Sequence, residues 1–217
     1  MDFYLAVSLS LSIVVPAIIA AVRLPVISSD FDPFLISIWL NAFNVGFGSI
    51  IVQFGYYNIV HYNIWFLADA FILLWVFRKW NLFESKKLFN SIATIFAICW
   101  TAETIFLSKF TGEFNSYFRI LYCFIVILLS IGMINTLLLK ANINPLKNSI
   151  FLICCTFVLL NTITVIGEAF FAYNLILGNE FRMYMEDLII FINVLCSLFF
   201  ALIILWMPKK QAFTLQY

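Results

Sequence analysis

The stretch IFLICCTFVLLNTITVIGEAFF, residues Ile150–Phe171, decides the class of this protein. The apolar character continues to Leu177, and about 20 apolar residues are enough for a helix to span the hydrocarbon core of a bilayer. Asn161, Thr164 and Glu168 fall at i, i+3 and i+7, so on a helix they form one stripe. The stretch therefore predicts a membrane helix with a polar seam that includes a carboxylate.

The composition of the whole chain is that of a membrane protein. Of its 217 residues, 65% are hydrophobic and 11% are charged, whereas soluble domains are about 45–50% apolar and about 25% charged. The net charge of +1 gives nucleic acid no electrostatic reason to bind. Because no long polar segment is present, we expect residues 1–217 to form a single all-α transmembrane domain with no separate soluble domain.

Apolar runs of membrane-spanning length follow one another along the chain, and we count seven. The turns between them are short, which predicts an up-and-down bundle in which sequential helices are neighbours. The weakest boundary is the second, at residues 55–58, and the count would fall to six if that segment were buried. The predicted spans are Phe3–Val22, Phe34–Phe54, Ile59–Phe77, Leu88–Leu107, Tyr117–Leu139, Ile150–Phe171 and Tyr184–Met207.

Basic residues are divided unevenly between the two ends of the predicted bundle. Nine of the twelve lie at the end that holds the carboxyl terminus. The positive-inside rule makes that end cytoplasmic, so we expect the amino terminus outside, in the inner (plasma) membrane of a bacterium. A cytoplasmic basic turn is expected to pair with anionic lipid, with an acidic protein partner as the alternative. This turn contains Arg78, Lys79, Lys86 and Lys87.

Polar seams occur in three of the predicted helices. A polar side chain that faces lipid costs several kcal/mol, so each seam is expected to face protein or a water-filled cavity. In addition to the stripe that ends at Glu168, the seams are Asn41, Asn44 and Gly48 in the second run and Glu186, Asn193 and Ser197 in the seventh.

Ionisable and amide side chains inside the runs are the candidate ligand-binding residues, because they are expensive in hydrocarbon. Each also has a structural interpretation. The amides and the carboxylates of Asp69, Glu103 and Glu168 could join helices by hydrogen bonds, Glu186 could cap a helix amino terminus, and His61 could be an interfacial residue. The candidates are Asn44, Asp69, Asn161 and Asn193 near the midplane, and His61, Glu103, Glu168 and Glu186 in the outer third.

Two cofactors of seven-helix proteins are not expected. His61 is the only histidine, so the chain cannot build the three-histidine zinc site of hydrolases similar to adiponectin receptors and alkaline ceramidases. The last run has no lysine before Lys209, so a retinal Schiff base is not expected. No spacing of Asp and Glu specifies another metal site.

The stretch YNIVHYNIWFLAD at Tyr57–Asp69, continuing to FRKW at Phe77–Trp80, resembles small uncharacterised multi-helix membrane proteins of Bacteroidetes-type bacteria. Those proteins often have a tyrosine-rich entry, an acidic residue in mid-helix and a basic cytoplasmic exit. This chain has Asp69 where such relatives carry Glu. The resemblance covers one predicted helix of the seven and implies no activity.

Several functions are compatible with these features. The leading one is a non-enzymatic receptor-like or sensor protein, whose outward-facing pocket takes a cation, an amine or a proton. A small proton-coupled transporter is the second, with Asn41, Asn135 and Ser197 continuing the polar path inward. A structural subunit of a membrane complex is as good an alternative. An intramembrane lipid enzyme with Asp69 or Glu103 as general acid–base is less favoured, because no nucleophile accompanies them.

Overall fold

The computed structural model describes residues 3–54, 59–83, 85–107, 114–139, 144–172 and 179–210. In these ranges the chain is helical apart from turns and one isolated β-bridge between Ile27 and Lys209. The helices are α1 (Phe3–Ser10), α2 (Val14–Arg23), α3 (Asp32–Gln53), α4 (Ile59–Lys79), α5 (Lys86–Phe106), α6 (Ser116–Leu138), α7 (Ser149–Ala172) and α8 (Asn179–Trp206).

Six of the helices, α3 to α8, are long and apolar enough to cross a membrane, and a shorter apolar segment covers Val7–Arg23. The predicted all-α membrane class is therefore confirmed. The chain is an integral membrane protein, whereas seven spans and their orientation stay predictions. The weak boundary at residues 55–58 lies outside the described residues.

The first apolar segment is broken near its middle. A short 3₁₀ turn at Leu11–Ile13 separates α1 from α2, and Pro16 follows it directly in the first turn of α2. Proline has no N–H to donate and its ring crowds the preceding turn, so an α-helix cannot run through it undisturbed. The break at this position follows from the sequence.

The helices form a ring. Each helix from α2 to α7 packs against the next helix in sequence, and α8 also contacts α2, which closes the ring. Because α4 also contacts α6 directly, α5 lies outside the ring and packs against α4 and α6. The ring around the centre therefore consists of α1 with α2, then α3, α4, α6, α7 and α8.

Hydrogen bonds between neighbouring helices define the two ends of the bundle. At the lower end, where α8 finishes, Arg23 donates to the carbonyl of Ile204 and the Trp80 indole donates to the carbonyl of Asp30 at 3.2 Å. At the opposite, upper end, the Trp100 indole donates to the carbonyl of Asn63 at 2.8 Å. The carbonyl of Ile204 is among the last four of α8, which have no partner within the helix, so Arg23 satisfies it.

Four phenylalanines fill the lower half of the ring. The Phe34 ring lies 6.1 Å from that of Phe157 and 5.4 Å from that of Phe200, and Phe77 lies 6.3 Å from Phe157. All four side chains are buried. They come from α3, α4, α7 and α8, and edge-to-face contacts of this kind add to the energy of burial. We call these residues the aromatic cluster.

The last helix begins earlier than its apolar run. It starts at Asn179, five residues before the predicted start at Tyr184. The prediction began too late because it followed apolar residues, and the first turn of the helix contains polar ones. Glu186 is therefore seven residues into α8, at the end of its second turn. Its predicted place at a helix amino terminus was wrong, and capping does not explain it.

Candidate functional site

A cavity of about 480 Å³ lies inside the ring above the aromatic cluster. Its volume is in the range of about 300–1,000 Å³ that small-molecule sites occupy. Residues of α1, α3, α4, α6, α7 and α8 line it, together with the 3₁₀ turn at Leu11–Ile13. Among the described residues α5 contributes nothing to the lining, because it packs outside the ring.

The polar seams meet at this cavity. The seams of α3, α7 and α8 all line it, so three helices direct their polar stripes at one space. Glu186 is the one seam residue outside the lining. The seam residues that line the cavity are Asn41, Asn44, Gly48, Asn161, Thr164, Glu168, Asn193 and Ser197.

Asp69 lies at the base of the cavity and has three side-chain hydrogen-bond partners, Tyr122, Asn41 and Ser37. The Tyr122 hydroxyl donates to Oδ2, and Asn41 Nδ2 donates to Oδ1 at 3.3 Å. Asn41 also donates to the carbonyl of Ser37 at 3.0 Å, which holds the amide in place. Within the described part of the chain no basic side chain forms an ion pair with Asp69. The carboxylate is hydrogen-bonded but has no compensating positive charge.

Glu168 has a different partner. Its Oε1 lies 2.8 Å from Nη1 of Arg119, and the guanidinium also lies 4.0 Å from the centre of the Phe66 ring. The Arg119 side chain is 19% exposed and that of Glu168 is 9% exposed. Sequence reasoning left Arg119 out of the site. Its position at the same predicted depth as Glu168 was the available signal, because two opposite charges at one depth of a membrane tend to pair.

The amide side chains in the cavity differ in how many of their hydrogen-bonding atoms have partners. Asn161 Nδ2 donates to the carbonyl of Phe157 in its own helix at 2.8 Å. Asn193 lines the cavity with an exposed side chain. Asn44 is only 5% exposed, yet its Oδ1 has no hydrogen-bond partner among the described residues. A buried acceptor without a donor costs about 1–3 kcal/mol, so this oxygen is a candidate contact for a ligand.

Glu103 is buried but lies on α5, outside the cavity. Its two carboxylate oxygens accept the backbone N–H groups of Tyr117 at 3.0 Å and Phe118 at 2.6 Å. These are among the N–H groups at the start of α6 that have no partner within the helix, and a carboxylate is favourable there. Glu103 therefore caps α6 and fixes the turn that carries Arg119.

His61 is also outside the cavity lining. Its ring lies 4.9 Å from the Phe47 ring and 5.8 Å from the Tyr62 ring, at the contact between α3 and α4. Glu186 is exposed on α8. The structure thus brings Asn44, Asp69, Asn161, Glu168 and Asn193 together and leaves His61, Glu103 and Glu186 outside.

A second, shallower cleft of about 360 Å³ lies at the lower end of the bundle. Arg78 and Lys79 line it and are exposed. The Arg78 guanidinium lies 4.7 Å from the centre of the Phe89 ring on α5. Lys86 and Lys87, at the start of α5, are exposed too, so the predicted basic turn is accessible.

No protein-family model matches the chain, and no curated protein or solved structure matches it. The function is therefore inferred from the chemistry of the cavity. It combines one carboxylate that lacks a positive partner, one buried acceptor that lacks a donor, and an ion pair whose charges cancel.

Proposed function

We propose that this protein is a receptor-like or sensor protein of the membrane, whose cavity opens to the outside and takes a cation, an amine or a proton. The observation that carries the proposal is the environment of Asp69. Arg119 is paired with Glu168, so no basic side chain among the described lining residues remains to balance a negative charge on Asp69. In surroundings of low polarity an unpaired charge is costly, and a bound cation would remove that cost.

The orientation rests on the basic residues. Seven spans and the amino terminus outside place nine of the twelve basic residues on the cytoplasmic side. The cavity then lies in the outer half and the cleft that Arg78 and Lys79 line in the inner half. We assign the protein to the inner membrane of a bacterium.

Sensing is favoured over transport because of what lies below the cavity. A transporter needs a polar path to the other side, but the aromatic cluster fills the lower half of the ring. Asn135, one of the residues that would continue such a path, is exposed on α6 and does not line the cavity. Transport would require the cluster to open.

Signal output would use the lower end of the bundle. The exposed basic turn formed by Arg78, Lys79, Lys86 and Lys87 is suited to an acidic surface on a cytoplasmic partner, or to anionic lipid. Helix α4 carries both Asp69 and Arg78, so one rigid element connects the cavity to this turn.

Ligand-induced stabilisation tests the proposal. A ligand that binds only the folded state stabilises it, by about 2.7 kcal/mol at a hundred times its Kd. We expect at least one of sodium, ammonium, methylammonium and tetramethylammonium to raise the Tm of the purified protein, and Asp69→Asn to abolish the rise. Asp187→Asn, which removes a carboxylate of α8 outside the cavity lining, should keep it. No rise with any cation, or an equal rise in Asp69→Asn, would refute the proposal.

A further inference from the structure

We infer that the ligand of the cavity is an organic ammonium ion with an aromatic or bulky apolar body. This inference rests on the proposed function and narrows it from cations in general to one chemical class. Two parts of the cavity carry it: the acceptors at its base and the aromatic walls beside them.

The acceptors are suited to an ammonium group. Asp69 provides a carboxylate with hydrogen-bond partners in Tyr122, Asn41 and Ser37, and a carboxylate can accept about four hydrogen bonds in total. Asn44, from the neighbouring helix α3, lines the same cavity, and its buried Oδ1 has no donor among the described residues. An ammonium or substituted amine supplies N–H donors and a positive charge together, which is what these two groups lack.

The walls are suited to an apolar body. Trp65 lies one helical turn from Asp69 on α4, at i and i+4, so both side chains lie on one face of the helix and line the cavity. Phe157 and Phe200 close the cavity below. Aromatic faces attract organic cations, Trp most strongly. A cavity of about 480 Å³ also leaves room around a bare ion for an organic body.

An anionic ligand fits this cavity less well. Arg119 is the basic side chain among the described lining residues, and its charge is balanced by Glu168 at 2.8 Å, although its buried Nε has no hydrogen-bond partner in the described part of the chain. A ligand carboxylate would add a negative charge beside Glu168 and would leave Asp69 without a positive partner. The cavity therefore discriminates against anions, because an anionic ligand would leave carboxylate charges without a positive partner.

Three probes separate the charge from the apolar body: 2-phenylethylamine, its neutral counterpart 2-phenylethanol, and methylammonium. Calorimetric titration of the full chain in lipid nanodiscs should give 2-phenylethylamine the lowest Kd, by about tenfold or more over each of the others. Asp69→Asn should weaken 2-phenylethylamine by at least about tenfold and leave 2-phenylethanol unchanged. Asp187→Asn should change neither.

Two more variants keep the test decisive if Asp69→Asn folds poorly. Trp65→Leu should weaken 2-phenylethylamine by about tenfold and methylammonium much less, because it removes the aromatic face and keeps the carboxylate. Asn44→Leu should weaken both amines, because it removes the unpaired acceptor.

The outcomes distinguish this inference from the proposed function. Equal Kd values for methylammonium and 2-phenylethylamine would overturn the inference and leave a cation site. Equal Kd values for 2-phenylethanol and 2-phenylethylamine would overturn it by showing a neutral ligand class. No binding of any amine, combined with no Tm rise from any cation, would overturn the inference and the proposed function together.

Discussion

Four helices of the ring contribute to both its upper and its lower half, and the two halves differ in the side chains that these helices direct inward. Helices α3, α4, α7 and α8 each contribute a polar residue to the cavity above and a phenylalanine to the aromatic cluster below. On α4 the two are Asp69 and Phe77, eight residues and about 12 Å of helix rise apart. The pairs are Asn44 with Phe34, Asp69 with Phe77, Asn161 with Phe157, and Asn193 with Phe200.

This difference separates the part of the bundle that stabilises the fold from the part that is available for binding. The lower half is well packed around the aromatic cluster, and its one buried side-chain atom without a partner among the described residues is the Ser130 hydroxyl of α6. The upper half retains Asn44 Oδ1 without a donor and Asp69 without a cation. Proteins commonly break packing and hydrogen-bonding rules at functional sites and compensate elsewhere, and here the two regions are stacked in one bundle.

The largest effect is expected in the aromatic cluster. Phe200 is 5% exposed and its neighbour Phe199 is 44% exposed. Phe200→Ala should lower the free energy of unfolding by about 3–5 kcal/mol, because it leaves a cavity among packed rings. Phe199→Ala, the matched control, should change it by about 0.5 kcal/mol or less. Reversible unfolding in mixed micelles measures both, and similar losses in the two variants would show that the lower half is not a packed core.

A smaller effect is expected from the ion pair of the upper half. Arg119→Gln leaves Glu168 without its partner and should cost about 2 kcal/mol, less than the roughly 3–5 kcal/mol of a fully buried pair because Arg119 is partly exposed. Adding Glu168→Gln should recover most of that loss. A double-mutant cycle gives the coupling free energy between Arg119 and Glu168. If the two single-variant losses in unfolding free energy simply add, the two side chains do not interact.

The cap of α6 should contribute less again. Glu103→Gln retains one acceptor oxygen for the N–H groups of Tyr117 and Phe118 and loses the charge, so it should cost about 1 kcal/mol. Because Glu103 lies outside the cavity, the variant should bind cations as the unmodified protein does. Thermal unfolding with and without cation checks both points. A loss of binding at unchanged stability would return Glu103 to the site.

The smallest effect should come from Asn44. Asn44→Leu replaces an unsatisfied buried amide with an apolar side chain of similar size and should change the free energy of unfolding by less than about 1 kcal/mol. Asn41→Leu removes the donor to Asp69 and Ser37 and should cost about 1–3 kcal/mol. The free energy of unfolding, measured for both variants without ligand, compares the two positions, which lie about one helical turn apart on α3. A larger loss at Asn44 would mean that its amide serves the fold.

Much of the cavity wall followed from spacing. Asn161, Thr164 and Glu168 lie at i, i+3 and i+7, and helical periodicity alone places them on one face. The cost of polar groups in hydrocarbon then predicts that this face is turned away from lipid. The same reasoning placed the seam of α3 correctly, and the structure finds both seams at one cavity.

The partners of each seam did not follow from the sequence. Spacing within a helix does not say which helix lies outside the ring, so Glu103 was grouped with Glu168 although α5 packs outside. The pairing of Arg119 with Glu168 depends on the contact of α6 with α7. The aromatic cluster was hidden for another reason: the chain has 26 phenylalanines, spread through every apolar run, and only packing shows which four meet.

The most direct test of the central claim is side-specific labelling of two positions on α8. Asn193→Cys places a thiol in the cavity and Ile203→Cys places one in the lower core, where Ile203 is buried. A membrane-impermeant thiol reagent is added to either face, and peptide mass spectrometry separates these cysteines from the native ones. The account predicts labelling of position 193 from the outer face alone and none of position 203 from either face. Equal labelling of position 193 from both faces, or labelling of position 203, would contradict it.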